Sequence, residues 1–135
     1  GRGTQTPFEL FGAPWLDGEM LARELGNLEL PGVRFKAVKF TPESSKFEGE
    51  LCSGVSIQIT DRKQFESVRT GIEIALRLRR LYPEKWEIDA YDRLLGNETT
   101  LEAIRNGRPY AEIESANSDG LLEFAFRRSQ YLIYR

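Results

Sequence analysis

The densest run of reactive side chains is Phe40-Thr41-Pro42-Glu43-Ser44-Ser45-Lys46-Phe47-Glu48-Gly49-Glu50-Leu51-Cys52, where three glutamates fall within eight residues of each other. Paired carboxylates are the groups that cleave glycosidic bonds, one as general acid and one as base or nucleophile, but only at a set separation across the bond. Sequence does not fix that separation, and glutamates solvated on a connecting loop account for the same pattern. A second cluster is Gly1-Arg2-Gly3-Thr4, which offers a guanidinium and a hydroxyl beside exposed backbone amides, a set suited to a carboxylate or a sugar hydroxyl. The plainer reading of that stretch is a poorly ordered terminus.

Other groups have structural roles as their first reading. Cys52 is the single cysteine, and a lone cysteine behaves more often as a small buried hydrophobe than as a nucleophile. Arg79 falls inside an otherwise apolar helical arc, so it pairs with a buried carboxylate or points into a cleft. Trp15, Tyr91 and Phe47 could stack on a sugar ring if exposed, although core packing is the first reading for each of them. Histidine is absent, which excludes a Ser-His-Asp triad, a Cys-His pair and a histidine-ligated metal. No metal or cofactor is expected, and no catalytic residue is assigned within this chain.

These groups must be held by recognisable elements. Phe8-Glu9-Leu10-Phe11 reads as a short strand entering the turn Gly12-Ala13-Pro14. Asp17 caps a short helix carrying Met20, Leu21, Leu25 and Leu28, which ends at Pro31-Gly32. Val33 to Phe40 is a strand with a bulge or twist near Ala37. Val55, Ile57 and Ile59 alternate with polar residues in the clearest strand of all. Asp61 is the expected N-cap of one long central helix of about twenty residues reaching Tyr82, with an apolar arc of roughly 200° that calls for packing on both flanks. Short helices are expected over Tyr91 to Leu95 and Thr100 to Asn106, a further helix from Tyr110 through Ile113, Leu121 and Phe124, and a closing strand over Tyr131 to Tyr134. The order implies an α+β domain, a small mixed sheet of about four strands packed with helices. A dinucleotide-binding fold is excluded, since no glycine fingerprint follows a parallel strand.

With 135 residues, 40% hydrophobic and 30% charged, the chain has the size and composition of one folded domain. Its formal charge of -2, from 19 basic and 21 acidic residues, gives no field to recruit nucleic acid or anionic lipid. No apolar run approaches the roughly 20 residues of a membrane span. The start at Gly1 carries neither Met nor a leader pattern and reads as part of something longer.

Taken in order, Gly1-Arg2-Gly3-Thr4, Thr6-Pro7-Phe8-Glu9, Gly12-Ala13-Pro14-Trp15, Phe40-Thr41-Pro42, Ser45-Lys46-Phe47 and Gly49-Glu50-Leu51-Cys52-Ser53-Gly54-Val55 resemble the C-terminal domain of the exo-β-N-acetylmuramidase family. The likeness continues through Thr60-Asp61, Val68-Arg69-Thr70-Gly71, Asp92-Arg93-Leu94 and Tyr131-Leu132-Ile133-Tyr134, and so spans the whole chain. It implies a peptidoglycan hydrolase that removes terminal N-acetylmuramic acid, extracellular or periplasmic, with a Rossmann-like N-terminal domain that holds the catalytic glutamate and is absent here. On this resemblance residues 1 to 135 are a single C-terminal domain, one wall of the substrate cleft and inactive alone. Arg2, Thr4, Phe40, Lys46 and Glu50 become substrate-binding or cleft-shaping residues, and a lysine or arginine suits the lactyl carboxylate of muramic acid. The alternative is a non-catalytic module that binds cell-wall glycan or a protein partner, or supports its neighbour. One departure is Asn117, where these proteins often carry tryptophan, so altered packing of the last helix is expected.

Overall fold

The computed structural model describes residues 1–133. The elements in chain order are β1 (Leu10–Ala13), α1 (Gly18–Gly26), β2 (Val33–Phe40), β3 (Cys52–Ile59), α2 (Ser67–Leu81), a 3-10 turn (Ile88–Tyr91), α3 (Asp92–Leu95), α4 (Glu98–Arg105) and α5 (Tyr110–Ser129). They form two compact units that divide after Glu87.

The first unit is a three-stranded antiparallel sheet in the order β1-β3-β2, with α1 and α2 supplying its core. β3 is central because Val55 and its neighbours are apolar enough to be covered, and it pairs with β2 from Val33 opposite Ile59 to Phe40 opposite Cys52. α1 begins where the Asp17 carboxylate accepts the Met20 N–H at 2.9 Å, an N-cap that satisfies one orphan donor. Its repeat then buries Leu21 and Leu25 completely, against Ala13, Leu16, Val55 and Leu78. Removing such side chains from water stabilises by about 1.5–3 kcal/mol each. Gly54 is the pivot of the sheet: a Cβ there would lie 2.0 Å from the Phe11 carbonyl oxygen, so only glycine lets β1 close onto β3.

In the second unit α4 is capped by Asn97, whose side-chain oxygen accepts the Thr100 N–H at 2.9 Å, and it buries Leu101 and Ile104. Pro109 precedes α5, as suits a residue with no N–H to leave unsatisfied. Asn117 ties the two helices together. Its amide donates to the Thr100 hydroxyl at 3.1 Å and to the Ile113 carbonyl at 2.8 Å, and its oxygen accepts from the Asn97 amide at 3.2 Å. Asn117 therefore has a defined packing role.

The α+β class is as expected, with differences in detail. Among the described residues the sheet has three strands, all antiparallel, in place of a mixed sheet of about four. Where the closing strand is expected, over Tyr131 to Tyr134, Tyr131 to Ile133 form a turn and a bend following α5, and Tyr134 lies outside the described residues. β1 sits two residues later than Phe8, because Gly12 and Ala13 pair with Gly54 and Ser53 and do not yet turn. β2 has no bulge near Ala37, since its register with β3 is unbroken. Asp61 caps only a local turn, accepting from the Lys63 N–H at 2.8 Å, and α2 starts at Ser67 with 15 residues. The reason is tertiary: the N–H groups of Thr60 and Asp61 both donate to the Gly32 carbonyl, which pins this stretch to the turn before β2. The longest helix is α5, with 20 residues.

Candidate functional site

The loop between β2 and β3 is held in an uncommon shape. Ser45 and Phe47 have φ of 72° and 66°, and Gly49 follows at 74°. Left-handed backbone at a bulky residue such as Phe47 costs free energy and persists only where surroundings enforce it, a situation concentrated at functional sites. Here the enforcement comes from the loop itself. The Gly49 N–H donates to the Pro42 carbonyl at 2.9 Å and closes the loop onto its entry, and the Glu50 N–H donates to the Phe47 carbonyl at 3.0 Å. Pro42 is buried beneath, and the half-buried Phe47 packs against the core cluster.

The same loop carries the Gly1 to Thr4 segment. The Glu43 N–H donates to the Gly3 carbonyl at 2.7 Å. Gly3 has φ of 77°, and a Cβ on it would fall 2.1 Å from the Ser44 carbonyl oxygen, so contact between the two segments requires glycine. Two stretches about forty residues apart in sequence are thus one surface, and neither is a loose end.

Within that surface the expected residues differ in availability. Arg2 and Glu50 are exposed. Thr4 is half-buried, and its hydroxyl donates to the Gly1 carbonyl at 2.6 Å, so it closes a turn and keeps only acceptor capacity for a ligand. Phe40 is half-buried, its ring edge 2.9 Å from where a Cβ on Gly12 would stand, which makes it a wall between β1 and β2. Lys46 extends with its ammonium 5.4 Å from the centre of the Phe47 ring and 3.9 Å from Glu87. Exposed pairs of this kind contribute between nothing and about 1 kcal/mol, so the ion pair orients Lys46 without occupying it. Glu43, Glu48 and Glu50 are all exposed.

Cys52 closes the loop as a fully buried strand residue, and burial pushes its thiol up, with the Glu50 charge adding to the effect. A neutral buried thiol is inert, as expected. Arg79 is half-buried and donates to the Pro83 carbonyl at 3.1 Å, just past the end of α2. The buried charge on α2 is Glu73, only 6% exposed, which accepts from Arg77 at 2.5 Å. Trp15 is half-buried and packs against Tyr82 with the rings tilted by 57° and their centres 5.3 Å apart, while the Tyr82 hydroxyl accepts the Asp17 N–H at 2.9 Å. Tyr91 is half-buried, and burial pushes its phenol up. Sequence reading did not find Glu87 as the partner of Lys46, or Ser53, whose hydroxyl accepts the Gly18 N–H at 3.0 Å at the start of α1. Neither has a local signal, because both contacts depend on how distant segments meet.

A strained, self-closed loop between two strands, joined to a glycine-hinged segment and edged by a cation and exposed carboxylates, defines a small α+β domain that presents polar groups on a rigid sheet. Residues 1–134 match the family described as the C-terminal domain of the exo-β-N-acetylmuramidase NamZ, and the chain belongs to that family. It is 42% identical over 137 residues to the peptidoglycan β-N-acetylmuramidase NamZ of Bacillus subtilis, covering 99% of this chain and 33% of that protein. The chain therefore spans about a third of the length of this curated relative. A crystal structure of a DUF1343 family protein from Bacteroides fragilis shares the fold, with a TM-score of 0.79 at 24% identity over 98% of this chain and 37% of that one.

Proposed function

We propose that this chain is the substrate-cleft domain of an exo-acting glycoside hydrolase that releases terminal N-acetylmuramic acid from peptidoglycan fragments. The observation that carries the reading is the union of Gly1 to Thr4 with the strained Phe40 to Cys52 loop through the Glu43 to Gly3 hydrogen bond at 2.7 Å. It is supported by membership of the exo-muramidase C-terminal family and by the relative's name. In this reading the residues act as binding groups. Arg2 and Lys46 face the lactyl carboxylate, Glu50 accepts from sugar hydroxyls, and Phe40 and the Thr4 turn shape the wall. The acid that protonates the leaving oxygen lies in the remainder of the longer protein, a Rossmann-like N-terminal domain that closes the other side of the cleft. The parent acts outside the cytoplasm, in the periplasm or beyond it.

The test is to assay this chain and the full-length parent side by side on a chromogenic glycoside of N-acetylmuramic acid. Turnover by the parent and none by the chain is the expected result; turnover by the chain alone would sink the assignment of the acid to another domain. A self-sufficient glycan-binding module is the rival, and titration of this chain with muramic acid-ended saccharides separates the two. Half of a cleft binds barely, whereas an autonomous module binds measurably.

A further inference from the structure

The first unit has a second concavity that shares no residue with the segments just described. It is a cleft of about 560 Å³ between the end of β3 and the first turns of α2, within the range of small-molecule sites. Its apolar lining includes Ile57, Phe65 and Ile74. Its polar lining includes Thr70, which is 3% exposed and whose hydroxyl makes no hydrogen bond among the described residues. That hydroxyl is not closed off by the protein, so it is left to a group that enters the cleft.

The start of α2 adds a second donor set. Its N-cap residue Glu66 makes no side-chain cap, because its carboxylate accepts from Arg69 at 3.1 Å instead. The N–H groups of Ser67 and Val68 therefore lack the side-chain acceptor a helix start usually has, and the helix dipole favours an anion at that end. Ser67 lines the cleft, as does Arg62, while Glu9 lines it from the β1 side. Arg62 gives the lining a cation, and the Glu9 carboxylate on the same lining disfavours a dianion.

We infer that this cleft binds a small monocarboxylate with an apolar body, its carboxylate on the first turn of α2 with the Thr70 hydroxyl and Arg62, its body against Ile57, Phe65 and Ile74. The carboxylate can come from a free aliphatic acid or from the C-terminus of a short peptide, and the two share this chemistry.

The experiment is an amide chemical-shift titration of the 135-residue chain with hexanoate, N-acetyl-alanyl-alanine, hexanol, adipate and N-acetylmuramic acid. Saturable shifts at Ser67, Thr70 and Gly71 with hexanoate or the dipeptide are expected, the tighter of the two naming the source. Binding of hexanol and adipate is expected to be weaker by roughly tenfold or more, as is binding of either acid to Thr70→Val or Arg62→Ala. The exposed Arg62 variant leaves the fold intact if Thr70→Val does not. No saturable shift with either acid, equal binding of hexanol, or insensitivity to Arg62→Ala overturns the inference. Displacement of both acids by N-acetylmuramic acid at these amides also overturns it, assigning the cleft to the glycan, whereas a failed glycosidase assay of the parent would leave it untouched.

Discussion

The Glu43 N–H donates to the Gly3 carbonyl at 2.7 Å, and a Cβ on Gly3 would stand 2.1 Å from the neighbouring Ser44 carbonyl oxygen. A polar tie and a steric demand therefore act on the same pair of segments. Gly3→Ala has to move the backbone apart or leave its φ of 77°. The strain amounts to about 1–3 kcal/mol. The expected outcome is a lower urea midpoint and faster hydrogen exchange at the Glu43 amide, with the Val55 amide less affected at matched stability. An unchanged Glu43 exchange rate would show that the two segments are not coupled.

Lys46 and Glu50 are expected to separate function from stability. Both are exposed, and the Lys46 to Glu87 contact at 3.9 Å joins side chains 69% and 79% exposed. Lys46→Ala and Glu50→Gln should thus shift unfolding by no more than about 0.5 kcal/mol. In the full-length parent the same changes are expected to raise KM for a muramic acid glycoside, Lys46→Ala the more because it removes the cation. Wild-type kinetics in both variants would reduce the loop to a scaffold.

Asn117 meets Asn97, Thr100 and the Ile113 carbonyl through three hydrogen bonds. Asn117→Ala leaves the Thr100 hydroxyl and the Asn97 amide to find water, at a cost of about 1–2 kcal/mol. Thermal unfolding followed by amide exchange in α4 and α5 checks this. A double variant with Thr100→Ala should cost less than the sum of the two singles, because the partners share one network; simple additivity would argue that the network has no energetic coupling.

The legible parts of this chain were those whose signal is local. The alternation of Val55, Ile57 and Ile59 marked β3, Asp17 marked the start of α1, and the crowding of charge and aromatics between Phe40 and Cys52 marked the loop that proves strained. What sequence could not show depends on meetings between distant residues. Asp61 has the chemistry of an N-cap, yet Gly32 accepts from its N–H at 3.2 Å and holds that stretch out of the helix. Arg79 lies in the apolar arc of α2 by angle, but its length lets it reach the Pro83 carbonyl, while the charge that is buried there is Glu73. The apolar run Leu121 to Phe126 has helical spacing and does form helix, but Leu121 and Phe126 are 63% and 72% exposed, because spacing specifies a helix and not its cover.

Cys52 gives the pH dependence a definite sign. Burial pushes its thiol above the ordinary value of 9.0, and the negative charge of Glu50 pushes the same way, outweighing the positive terminus. In the unfolded chain the thiol ionises first as pH rises, so above about 9 the unfolded state holds fewer protons than the folded one and stability falls. The contribution is fully present below the unfolded pKa and is lost as pH climbs through the folded one. Urea midpoints between pH 8 and 10.5 are therefore expected to decline more steeply for the wild type than for Cys52→Ala, since tyrosines and lysines provide the same background in both. Glu50→Gln should fall between them, because it removes the secondary cause and leaves burial. Iodoacetamide should label the native thiol slowly at pH 8 and rapidly in denaturant. A wild-type decline no steeper than that of the alanine variant, or rapid labelling of the native protein, would mean that Cys52 is open to solvent and that the loop above it does not seal the start of β3.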